Sequence, residues 1–189
     1  GRAERVEISG EKGKQKNNSF RAVVTKPRLF GRDAALVAEL SKQQVSHLKH
    51  SSFIQKERTA RLSCQFGRTD GPTGAHEIAY EASLRDVCKL PAAASWAVLQ
   101  QRGPSLKSAL RHTASVSTVD NPTDPSRGYS LKLTSELAGL GGVGDARHHK
   151  HSLHAALFAP VLPYGLLNLA IDVKAGALLP LGSPTTATA

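Results

Sequence analysis

At 189 residues the chain has room for one domain with a sizeable core, yet a hydrophobic fraction of 40% with only 5% aromatics argues against a conventional aromatic-rich interior. Lys and Arg outnumber Asp and Glu by 25 to 15, a formal charge of +10, but the cations are scattered singly, which reads as a solvated surface rather than a nucleic-acid tail. Cys64 and Cys88 offer neither a disulfide framework nor a zinc spacing, and no apolar run approaches the roughly 20 residues of a spanning helix, which excludes a helical membrane protein but not a membrane β-barrel.

Along the chain the dominant signal is a period of two, the mark of strands with one apolar side. Phe20, Ala22 and Val24 oppose Arg21 and Thr25, and after a turn cluster at 27–33, Leu36, Ala38 and Leu40 oppose Glu39 and Ser41. Helix propensity over 33–48 is good, but period two fits its first half better than period 3.6. From Lys56 to Arg68 the alternation is nearly perfect, with Ala60, Leu62, Cys64 and Phe66 against Arg61, Ser63, Gln65 and Gly67. It returns from His76 to Val87, where Ile78, Tyr80, Ala82 and Leu84 face away from Glu81, Ser83 and Arg85. A short apolar run, Trp96 to Leu99, ends at the turn signal Arg102-Gly103-Pro104. Leu106, Leu110, Ala114 and Val116 then oppose Lys107, Arg111 and Thr113; Leu131, Leu133 and Leu137 oppose Lys132, Thr134 and Glu136; and Leu169, Ile171 and Val173 oppose Asn168, Asp172 and Lys174.

Turn clusters at 15–18, 27–33, 69–74, 121–128 and 163–165 separate these segments. The pattern predicts an all-β, antiparallel up-and-down meander of about ten segments, most of them about eight to fourteen residues long against about five to six for an average strand. Periodicity alone leaves two architectures open, a soluble sandwich and a transmembrane barrel. Strand length and isolated charges on the second face favour the barrel.

The stretch from Glu136 to His151, ELAGLGGVGDARHHKH, invites three chemistries. Gly139, Gly141, Gly142 and Gly144 superficially match a phosphate loop, which must follow a uniformly apolar strand and open a helix. Here the preceding segment alternates and no helix period follows, so the glycines read as a hairpin turn. His148, His149, His151 and His154 fall on opposite sides of a strand, with His149 and His151 sharing one, which gives at most a partial metal site. His47, His50, His76 and His112 show no ligand spacing, and no GxSxG elbow marks a nucleophile. No catalytic residue, cofactor or metal is expected. Trp96 and Tyr129 suit either a core or a bilayer boundary.

The segment from Val119 to Asp145, VDNPTDPSRGYSLKLTSELAGLGGVGD, resembles the bacterial-surface-antigen superfamily of outer-membrane barrel assemblers, and within it the mitochondrial branch of sorting and assembly machinery barrel subunits. The carriers are Asp120, Pro125 and Gly128, then the alternating strand with Leu131-Lys132, then ELAG from Glu136 to Gly139. Gly1 to Val6, Lys26-Pro27, Ser105 to His112 and Gly176 to Gly182 agree in order, so the likeness covers nearly the whole chain. With Gly at position 1 and no Met, the sequence reads as an internal piece of a longer chain.

The resemblance implies a 16-stranded transmembrane barrel, preceded by a soluble polypeptide-transport-associated domain, that inserts other barrels into the mitochondrial outer membrane. On that plan residues 1–182 are part of the barrel and 183–189 a loop or tail, while a lumen-folded loop with an Arg-Gly-aromatic motif and the final strands lie beyond. Implied partners are membrane lipid, β-barrel precursor proteins and other subunits of the sorting and assembly machinery. The working group is backbone, because an open seam presents unpaired N–H and C=O groups that an incoming strand satisfies. The rival readings are a related translocating barrel of a chloroplast envelope or bacterial outer membrane, and a soluble basic β-domain for nucleic acid. The last requires aromatics interleaved with the basic face, where Ser, Thr and Ala mostly stand instead. Nucleic acid is therefore not an expected partner.

Overall fold

Period two becomes one sheet. The computed structural model describes residues 3–13, 17–29, 33–47, 53–68, 74–90, 96–161 and 167–181. Among these lie nine strands: β1 (Arg5–Lys12), β2 (Asn18–Lys26), β3 (Ala34–Ser46), β4 (Ile54–Gly67), β5 (Ala75–Cys88), β6 (Gly103–Ser117), β7 (Gly128–Ala138), β8 (His148–Pro160) and β9 (Asn168–Pro180). Each pairs antiparallel with the next, in the order β1 to β9 without a crossover. The expected all-β meander is what forms, with nine strands where the periodicity predicts about ten. The expected tail at 183–189 and the turn cluster at 163–165 lie outside the described residues.

Three local expectations change. The apolar run Trp96–Leu99 forms one helical turn, α1, inside the β5–β6 connection. The helical alternative for 33–48 gives way to strand along all of β3, whose backbone bonds β2 on one side and β4 on the other; two ladders outweigh propensity. Gly103 and Pro104, expected as a turn, open β6, and Pro104 is tolerated because β7 reaches only as far as Ala109.

The register sorts side chains into two faces. Arg61 on β4 lies opposite Glu39 on β3 and Glu81 on β5, so the polar set of each strand meets the polar set of the next. Leu62 lies likewise between Ala38 and Tyr80. Burial then runs opposite to that of a soluble protein: Ser63 is 3% exposed and Glu136 7%, while Leu62 is 51% and Ile8 70% exposed. Among the described residues no second layer packs on the polar side, so its occlusion means that the sheet curves and that the polar face is concave.

Stagger accompanies the curvature. The row of direct partners that starts at Val6, the second residue of β1, passes through Val24, Ala38, Leu62, Tyr80, Leu110, Leu137 and His149 and ends at Leu179, the twelfth residue of β9. A row perpendicular to the strands thus crosses from one rim of the sheet to the other. Strands related in this way are tilted, as barrel walls require.

Candidate functional site

Charge on the concave face is organised into pairs. Glu136 on β7 is its centre: its carboxylate accepts from Arg111 at 2.7 Å, meets Lys107 at 2.8 Å and faces the ring Nε2 of His148 at 3.1 Å. Glu81 bridges the same two cations at 3.7 and 3.8 Å. Arg61 donates to Glu77 at 2.7 Å, Arg21 donates twice to Glu39 at 2.6 and 3.0 Å, and His154 lies 3.0 Å from Asp172. Over the described strands the concave positions hold nine Lys and Arg and eight Asp and Glu, so this side of the sheet is nearly neutral. No buried side-chain N or O atom among the described residues is left without a partner.

Of the motif residues, Asp120 and Pro125 lie in the β6–β7 connection and Gly128 opens β7. The Asp120 carboxylate accepts from the backbone N–H groups of Asn121 at 2.9 Å, Ser126 at 3.0 Å and Arg127 at 3.1 Å, and from the Ser126 hydroxyl. These donors stabilise the ionised form, the Ser126 hydroxyl foremost, and hold the Asp120 carboxyl well below the usual carboxylate range. Gly128 closes the loop with φ +112°, and a Cβ there would stand 2.5 Å from the Thr118 carbonyl oxygen. Only glycine fits this close approach of backbone to backbone. Pro125 lies within the loop that Asp120 gathers.

The glycine-rich segment joins β7 to β8. Gly139 precedes a 3-10 turn at Leu140–Gly142, and the chain then returns along the part of β6 that β7 does not reach. Gly139 N–H donates to the Ser108 carbonyl at 2.8 Å, Asp145 N–H donates to the Leu106 carbonyl at 2.8 Å, and Leu106 N–H donates to Asp145 Oδ2 at 2.8 Å. Gly144 makes this possible: a Cβ would lie 2.9 Å from the Leu106 carbonyl oxygen. Asp145, the last residue of the segment that carries the family resemblance, thus has a structural role that the sequence does not reveal. Its signal is the mismatch between the 15 residues of β6 and the 11 of β7, which shows only once the register is known.

The histidines divide between the faces. His148 and His154 are concave, whereas His149 and His151 share the convex face with ring centroids 4.1 Å apart, and His151 lies 2.9 Å from the Ser135 hydroxyl. Among the described residues no three His, Cys, Asp or Glu side chains come together as metal ligands; His50 lies outside them. No described helix is long and apolar enough to cross a membrane, a statement that does not bear on strands.

A family model matches residues 1–187, the Omp85 superfamily domain. The chain belongs to the Omp85 superfamily. The relatives of this Omp85 chain include the sorting and assembly machinery component 50 homolog of Bos taurus, 28% identical over 191 residues, covering 100% of this chain and 39% of that protein. The SAM50-like protein CG7639 of Drosophila melanogaster is 26% identical over 164 residues, covering 85% of this chain and 37% of that protein. In fold the chain is similar to BamA of Haemophilus ducreyi, with a TM-score of 0.77 at 10% identity, over 96% of this chain and 36% of the BamA chain. The family resemblance carried by Val119 to Asp145 is borne out, and this Omp85 chain spans about two fifths of the length of these relatives.

Membership of Omp85 accounts for the inverted burial. An apolar convex face and a polar concave face are what a wall between hydrocarbon and water requires, with every interior backbone group paired in the ladder. Trp96, 73% exposed, lies in the β5–β6 connection, and Tyr129 lies on the convex face at the opposite end of the strands.

Proposed function

We propose that this chain is barrel wall in a machine that folds and inserts β-barrel proteins into the mitochondrial outer membrane. One observation carries the reading: the single curved sheet of an Omp85 domain hides its ion pairs and exposes its leucines. The mitochondrial assignment rests on the sorting and assembly machinery relatives. In this reading residues 1–182 are barrel, the convex band meets acyl chains, and the concave face lines an aqueous lumen. Asp120, Pro125 and Gly128 set one rim connection, and Gly139, Gly141, Gly142 and Gly144 set another. Asp145 seals the β6 overhang.

No side chain of the wall needs to react. A strand entering hydrocarbon loses several kcal/mol for each unpaired backbone group, and pairing at an open barrel seam removes that cost. The wall supplies the rigid, staggered frame that holds such a seam. Its partners are then lipid, barrel precursors and the other subunits of the machine. The test is reconstitution of the full-length parent chain in liposomes with a urea-denatured mitochondrial barrel precursor. Protease-resistant, membrane-integrated precursor should accumulate faster than in protein-free liposomes. Equal rates would overturn the reading.

A further inference from the structure

The convex face carries its own charge, clustered toward one rim, with Lys26 at the other. Lys42 on β3 and Arg58 on β4 are direct cross-strand partners, and Lys56, two residues before Arg58, points the same way. Like charges placed directly opposite each other destabilise a sheet. On the concave face Glu136 stands between two cations of β6, Lys107 and Arg111, and offsets their repulsion. Lys42, Lys56 and Arg58 have no carboxylate within 4 Å among the described residues, although Asp86 is the register partner of Lys56. The sheet thus holds an uncompensated cationic pair where a neutral one would be more stable.

Directly beside the pair the convex surface is hollow. A groove of about 330 Å³ runs from Lys42 and Arg58 into the apolar band. Ala60 and Ala82, cross-strand partners with the smallest side chains of the row, form its floor, and Phe20, Leu40, Leu84 and Leu106 stand along it. A smaller hollow of about 220 Å³, lined by Lys56, Arg58, Leu84, Asp86 and Pro104, adjoins the charged end. The charged end lies toward the rim that also carries the β3–β4 connection and the β5–β6 connection with the exposed Trp96, at headgroup level in a bilayer.

From this we infer that Lys42 and Arg58 bind the phosphate of an anionic phospholipid whose acyl chain lies in the groove over Ala60 and Ala82. An apolar slot with two unpaired cations at its mouth matches an amphiphile with a chain and an anionic head. A free phosphate would leave the slot empty, and a neutral zwitterion would bring its own cation to a site already rich in cations. Arg58 offers a planar fork to phosphate oxygens, and Lys42 and Lys56 add mobile point charges. The inference rests on the reading of this face as lipid-exposed.

The experiment uses the full-length parent chain in liposomes of phosphatidylcholine with phosphatidylglycerol at one fifth of the lipid. Single cysteines replace Leu84, in the wall of the groove, and Leu62, in the band outside it, in a background lacking the native cysteines, and each carries a fluorophore. Chain-labelled nitroxide phosphatidylglycerol or phosphatidylcholine is the quencher. At Leu84 the anionic quencher should act more strongly than the neutral one, by roughly fivefold per cation at low ionic strength, and added salt should shrink the preference. K42Q/R58Q should abolish it, the single variants K42Q and R58Q should each weaken it, and K26Q at the other rim should leave it intact. Soluble glycerophosphate in excess should not compete. Equal quenching at Leu84 with both labels effective at Leu62 would overturn the lipid site alone. No quenching at Leu62 would overturn the membrane reading beneath it. Competition by glycerophosphate would reassign the pair as a free-phosphate site.

Discussion

At the scale of single residues, the features most sensitive to substitution are those where backbone meets backbone or a carboxylate gathers several donors. Gly128→Ala forces a Cβ to within 2.5 Å of the Thr118 carbonyl oxygen at a φ of +112°, and neither neighbour is a side chain that can swing aside. Loss of at least about 2 kcal/mol in the unfolding free energy of the full barrel is expected, measured by urea titration in detergent. Asp120 gives a pH dependence with a definite sign. Its folded-state pKa lies below the ordinary 3.8, so its contribution is complete above that value and is lost as pH falls through the depressed folded value. Amide exchange at Ser126 and Arg127 should therefore stay slow through mildly acidic pH and quicken only in strong acid, whereas Asp120→Asn should quicken it already at neutral pH, by on the order of tenfold. An exchange rate unchanged in the Asn variant would show that the loop does not depend on the carboxylate. Asp120 and Gly128 are both legible in the sequence as members of a motif. What each does there is not, because the donors to Asp120 come from up to seven residues away and the obstacle to a Cβ at Gly128 lies ten residues back.

At the scale of elements, legibility follows range. The alternation of Leu62 with Arg61 and Ser63 is local and yields β4 directly, and the same holds for β5, β6, β7 and β9, whereas β8, which opens on His148-His149, is established by its pairing with β7 and β9. The apolar run Trp96–Leu99 is too short for its period to decide between a strand and a helical turn, and it forms the latter. The β7–β8 connection shows the limit more sharply. Four glycines announce a turn, but the strand-like bonding of Asp145 to Leu106 depends on β6 outrunning β7, a property of two elements and their register. Asp145→Ala removes the acceptor of the Leu106 N–H and leaves that donor without a partner near the rim of the wall. The expected cost is about 0.5–1.5 kcal/mol, read as a lower thermal transition of the detergent-solubilised full-length protein. Asp145→Asn keeps an acceptor and should recover most of the loss. If alanine and asparagine behave alike, the side chain contributes nothing to the overhang.

At the scale of the molecule, the decisive property is that curvature and chemistry agree. A flat sheet with the same sequence would expose Glu136 and Arg111 as freely as Leu62, and its charges would need no partners; bending toward the polar side crowds those charges and makes Arg111, Lys107, Glu81 and Glu136 share one network. The bend also spreads the leucines outward, where water would penalise them by about 25 cal/mol per Å² of apolar area and hydrocarbon would not. None of this is visible in any one segment, since a sandwich strand and a barrel strand share period two. Nitroxide labels at each position from 59 to 64, introduced singly into the full-length chain in bilayers, separate the two. Residues 60, 62 and 64 should collide with dissolved oxygen, which concentrates in hydrocarbon, and residues 59, 61 and 63 with a water-soluble nickel chelate. A phase that reversed would place the charged network against lipid, where its ion pairs would lose the water that solvates the rest of each charge. Uniform access of the chelate to all six would place both faces in water, and the wall would then be a soluble sheet with its apolar side unaccounted for.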